Sequence, residues 1–196
     1  MTPERFARGL TFDDYVRFAG SPDNLAREGF DVRRFSLTRP RLDWSVYLRE
    51  RYAKARLTDD QAAAMQWLAG QPGGPAKIAV IAEDWSSDCR RDLPYLARLA
   101  EAGGNADLVV AYANDKGGQQ FASVPVAVFY SSDWGELYRY VEYPAIYHKE
   151  RLLGHLRATQ GDIAGMLESP FFDVWAHAAM AEILSALYER RMALSQ

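Results

Sequence analysis

The chain has 196 residues, 48% of them hydrophobic and 25% charged, with a formal net charge of −3 at neutral pH. That length suits one ordinary domain, or one domain with extensions, and that composition builds a soluble core. The acidic balance excludes the basic footprint of a nucleic-acid partner or an anionic membrane surface, and no eighteen-residue apolar run is present to span a bilayer.

Residues 1–70 read as a helical extension. Met1 to Phe6 carries no apolar signal region, so a cytoplasmic location is expected. Thr11 caps a short helix to Ala19, Ser21-Pro22 starts another that stops at Gly29, and Phe30 to Arg39 reads as an ordered loop. Arg41 to Arg56 has a helical pattern, and Thr58-Asp59-Asp60-Gln61 is a capping box for a helix ending at Gly70. Gln71-Pro72-Gly73-Gly74-Pro75 breaks the pattern and leads into an α/β core, residues 76–160. There Lys77 to Ala82 is apolar enough for a central parallel strand. A helix from Cys89 to Ala102 and a strand from Asp107 to Tyr112 complete a βαβ unit. Asn114 to Ser123 connects to a strand over Val126 to Tyr130, which forms a hairpin with Glu136 to Tyr143. Helices follow over Ala145 to Thr159 and Asp162 to Glu168, and then Phe171 to Leu194. Residues 161–196 are expected to pack on the core, and the last helix is long enough to offer a homodimer face.

The chemistry concentrates where the first core strand meets its helix, at Glu83-Asp84-Trp85-Ser86-Ser87-Asp88-Cys89. A helix start aims free N–H groups at one point and favours negative charge there, a thiolate included. Cys89 is the single cysteine, so no internal disulfide can form; an intermolecular bond, a mixed disulfide or an inert buried thiol remain. It is either a reactive monothiol acidified by the helix, Arg90 and Arg91, or a shielded thiol under the first turn. Ser86 and Ser87 read as helix caps, because the three histidines lie far away in sequence and no base is at hand. Glu83 and Asp84 are expected to be solvated, the alternative being a paired-carboxylate site. No cluster has metal-ligand spacing, and no cofactor follows from these residues.

Trp85-Ser86-Ser87-Asp88-Cys89 with Pro94 resembles the thioredoxin motif Trp-Cys-x-x-Cys followed by a helix-kinking proline. Val124-Pro125 is similar to that family's cis-proline. The Glu-Asp-Trp lead-in resembles a bacterial thioredoxin-like branch with helices before the core. The resemblance spans roughly residues 76–144 and implies a thioredoxin-like α/β fold, a mixed sheet with flanking helices. It implies a site of Ser86 and Cys89 as catalytic positions, with Trp85, Ser87, Asp88, Val124 and Pro125 contacting substrate. In the family the first motif cysteine is the nucleophile, and Ser86 stands there. A hydroxyl does not replace a thiolate near neutral pH, so no dithiol exchange is expected. Three readings remain. The first is a monothiol protein of thiol–disulfide biology, natively so or as a Cys→Ser form of a dithiol oxidoreductase. The second is a non-catalytic module that binds a protein thiol or an extended peptide beside Val124. The third is a glutathione-binding protein in which Ser86 meets the ligand's sulfur.

Overall fold

The structure, a computed structural model, describes residues 2–27, 31–32, 37–38, 41–104, 107–112, 123–142, 144–145 and 172–193. Helices α1 (Pro3–Ala7), α2 (Phe12–Ala19) and α3 (Pro22–Leu25) each begin at a side-chain cap, supplied by Thr2, Thr11 and Ser21. Each hydroxyl satisfies a first-turn N–H that the helix leaves without a partner. Along α2, Phe12, Tyr15, Val16 and Ala19 are buried, a spacing that puts them on one face.

A short antiparallel ladder follows, β1 (Asp31–Val32) with β2 (Leu37–Thr38), where an ordered loop is expected from the sequence. Helix α4 (Ser45–Lys54) is shorter than the expected span, starting only after Trp44. Helix α5 (Asp59–Ala69) carries the complete Thr58–Gln61 capping box.

The core is a sheet of β3 (Lys77–Ala82), β4 (Asp107–Tyr112), β5 (Val126–Tyr130) and β6 (Glu136–Val141), in the order β4-β3-β5-β6. β3 runs parallel to β4 and antiparallel to β5, and β5–β6 is the expected hairpin. A strand with neighbours on both edges and layers on both faces meets no water, and Ile78 to Ala82 are all buried. Between β3 and β4 lies α6 (Ser87–Gly103), and α7 (Phe172–Ala193) packs on α5, α6 and β6. Leu93, Leu96 and Leu99 of α6 join Met180 and Ile183 of α7 in one fully buried cluster.

The N-terminal segment is tied to the sheet. Leu10 exchanges two backbone hydrogen bonds with Val110, at 2.9 and 2.7 Å, and so occupies part of the open edge of β4. Gly9 permits this approach, since a Cβ there would fall 1.8 Å from the Val109 side chain.

Helix α6 starts two residues before the expected Cys89, and its span includes the buried Pro94. The segments expected as a connection before Ser123 and as helices over Ala145 to Thr159 and Asp162 to Glu168 lie almost wholly outside the described residues.

Candidate functional site

Beyond Ala82 the chain turns, with the Ser86 N–H donating to the Glu83 carbonyl at 3.1 Å. Ser86 is in an extended conformation and is the N-cap of α6; its hydroxyl oxygen accepts the Cys89 N–H at 3.3 Å. The same hydroxyl faces the Val124 carbonyl at 3.4 Å, and the Val124–Pro125 peptide is cis. Ser86, Cys89, Val124 and Pro125 thus converge from the helix start and the loop before β5. Trp85, Ser87 and Asp88 surround them and are half-buried, with Trp85 packed against the core.

Cys89 is 1% exposed, and its sulfur accepts the Glu83 N–H at 3.4 Å. Burial pushes the thiol up to about 12, against the opposing pull of the Glu83 N–H and the Ser86 hydroxyl. The helix field does not offset the loss of water, and the sulfur is a neutral thiol at physiological pH. The two arginines expected to acidify it are engaged elsewhere. Arg90 stacks over Trp44 at 3.7 Å and donates to the Asp84 carbonyl at 2.7 Å. Arg91 binds Asp88, Asp92 and the Glu142 carbonyl.

Glu83 and Asp84 are buried rather than solvated. Arg41 pairs with both, Arg27 with Glu83 at 3.1 Å, and Asn24 donates to Asp84 at 2.7 Å. Carboxylates leave water only when cations and donors replace it, and here the N-terminal extension supplies both. The pair therefore fastens the extension to the strand end that carries the site.

Asp88 faces the candidate site with its side chain 17% exposed. Its carboxyl is raised to about 6, chiefly by burial, even though Arg91 at 2.7 Å pulls the other way. Desolvation outweighs the ion pair because only one carboxylate oxygen meets the guanidinium and Asp92 and Glu142 add like charge.

Sequence reasoning missed Arg41, Arg91, Asp92, Tyr140 and Glu142 as parts of the site's frame. One signal was available, the Asp88–Arg91 spacing of three on a helix. His177 sits against Gln61 and Tyr95; His148 and His155 lie outside the described residues. Among the described residues no group of His, Cys, Asp and Glu could hold a metal ion, and no helix is long and apolar enough to cross a membrane.

A strand, a capped helix start and a proline loop meeting at one point define a thioredoxin-fold protein. The chain belongs to the thioredoxin family, whose model it matches over residues 42–153. Its fold is similar to the crystal structure of an HIV 4E10 epitope scaffold. The TM-score is 0.54 at 18% identity, covering 95% of this chain and 96% of that one. It is also similar to the crystal structure of a protein of unknown function from Pseudomonas aeruginosa, with a TM-score of 0.55 at 16% identity, over 96% and 99% of the two chains. No curated protein matches the chain. At these identities the structural likeness concerns the fold alone.

Proposed function

We propose that this thioredoxin-family protein is a binding module that holds an extended peptide in the groove between Trp85, the Ser86–Cys89 turn and the Val124-Pro125 loop, without using a thiol. The observation that carries this reading is the state of Cys89, which is buried, hydrogen-bonded through its sulfur and neutral. Exchange needs an accessible thiolate, and the attacking position holds a hydroxyl already committed to capping α6. The same observation weighs against the monothiol redox reading. Peptide capture is compatible with these residues. Among the described residues the Val124 carbonyl is met by the long Ser86 contact, which an incoming backbone N–H can replace, and Trp85 supplies an apolar flank.

A second reading has one specific observation behind it. Ser86 caps the start of a 17-residue helix, whose N-terminal N–H groups favour a negative charge such as a bound glutathione thiolate.

The test is a selection from a displayed library of unstructured peptides, followed by titration of selected peptides against the whole protein. The reading expects binding that falls at least tenfold in Trp85→Ala and is not displaced by millimolar glutathione. Rapid modification of Cys89 in the folded protein at pH 7, or displacement of the peptide by glutathione, would overturn it.

A further inference from the structure

One buried side chain joins the first turn of α6 to the Val124-Pro125 loop. Arg91 donates through Nε to Asp92 at 2.6 Å and through Nη2 to the other Asp92 oxygen at 2.8 Å. Its Nη1 donates to Asp88 at 2.7 Å, and Nη2 also donates to the Glu142 carbonyl at 3.1 Å. The Tyr140 hydroxyl donates to Asp92 at 2.8 Å and closes the cluster. Arg91, Asp92 and Tyr140 are all buried. Glu142 carries the link onward, for its N–H donates to the Pro125 carbonyl at 2.7 Å.

We propose that Arg91 is the positioning residue of this groove: it fixes the first turn of α6 through Asp88 and the Val124-Pro125 loop through Glu142, and so sets the gap between the two walls. The functional meaning of that gap rests on the binding-module reading, while the coupling itself is a property of the fold. A planar guanidinium has donors in a fixed fork, so the bidentate hold on Asp92 sets the direction of the remaining donors. Glu142 has φ +65°, a left-handed conformation that a side chain adopts at a cost, and both of its backbone groups are bonded. Loss of the Arg91 contact would release one of the two bonds that hold it there.

Asp88 gives this arrangement a measurable handle, because it is the partly exposed acid of the cluster. The groups that face it are Arg91, Asp92 and the neutral Cys89 from α6, and Tyr140 and Glu142 from β6 and its end. With Asp88 raised to about 6, mild acid neutralises it and frees one arm of Arg91. The other donors, still tied to Asp92 and Glu142, must adjust, and the far wall of the groove should register the change.

The experiment is amide NMR on the full chain without ligand from pH 4.5 to 7.5. The Glu142 and Val124 amide resonances should titrate with the Asp88 carboxyl, with a midpoint near 6. In Asp88→Asn both should be flat. In Arg91→Lys, which keeps the charge but not the fork, Asp88 should still titrate while the Glu142 and Val124 responses are lost. If Arg91→Lys does not fold, the wild-type and Asp88→Asn spectra decide. Amides that ignore the Asp88 titration, or that follow it equally well in Arg91→Lys, would overturn the proposal. No peptide is needed, so failure here leaves the binding reading standing, and a failed peptide selection leaves the coupling standing.

Discussion

The Ser86 hydroxyl oxygen accepts the Cys89 amide N–H at 3.3 Å, so the side chain at the family's attacking position here caps the site helix. Losing such a cap costs about 1 kcal/mol. Ser86→Ala should therefore lower unfolding stability by about that amount in urea titrations. Ser86→Cys gives up part of the same contribution but sets two sulfurs on one helix turn, a spacing a disulfide accepts. Thiol counting after mild oxidation should fall from two to none, and two surviving thiols would show that the turn does not bring the sulfurs together.

The Cys89 thiol sets an alkaline stability limit. Its folded value of about 12 lies above the ordinary 9.0, so the folded protein keeps a proton that the unfolded chain releases. The contribution is intact below pH 9 and is lost as pH rises towards 12. At pH 10 the loss is on the order of 1 kcal/mol. Buried tyrosines, Tyr140 foremost, act in the same direction, so the informative quantity is the difference between wild type and Cys89→Ala. Urea midpoints at pH 8 and pH 10 should converge between the two proteins as pH rises.

Asp88 has the same sign at acid pH. Its folded value of about 6 exceeds the ordinary 3.8, so the folded state binds the proton more tightly. The stabilisation is fully present below pH 3.8 and disappears as pH climbs through 6. The shift corresponds to roughly 3 kcal/mol. Asp88→Asn should therefore be the more stable protein at pH 7.5 and lose that advantage towards pH 4.5. Equal stabilities at pH 7.5 would mean that Arg91 fully offsets the burial of the carboxylate.

Arg41 is predicted to be among the costliest residues to replace outside the core. It lies buried between Glu83 and Asp84, and removing one partner of a buried ion pair costs about 3–5 kcal/mol. Arg41→Met should destabilise by that order in chemical denaturation. Arg41→Met with Glu83→Gln and Asp84→Asn should recover much of the loss, because the uncompensated charge goes with the carboxylates.

Much of the fold was legible in the sequence, for local reasons. β3, β4 and β5 have their expected ends because each is an apolar run between turn residues, and the Thr11, Ser21 and Thr58 caps are short-range devices. The chemistry of the acids was not legible. Glu83 and Asp84 at a strand end read as solvated, and the arginine that buries them lies 42 and 43 positions earlier in the chain. The arginines after Cys89 misled for a related reason. Adjacency in sequence suggests a field on the thiol, whereas Trp44, Asp88, Asp92 and Glu142 hold both guanidinium groups. The shielded thiol itself follows from local pattern, since Cys89 begins the helix face that Leu93 and Leu96 continue into the core.

The most direct test of a groove that works without its sulfur is to titrate one selected peptide against wild type and Cys89→Ala and to weigh the complexes by intact-mass spectrometry. The account predicts dissociation constants within twofold of each other and no covalent adduct. A tenfold or greater loss of affinity in Cys89→Ala, or a mixed-disulfide mass on the wild type, would contradict it.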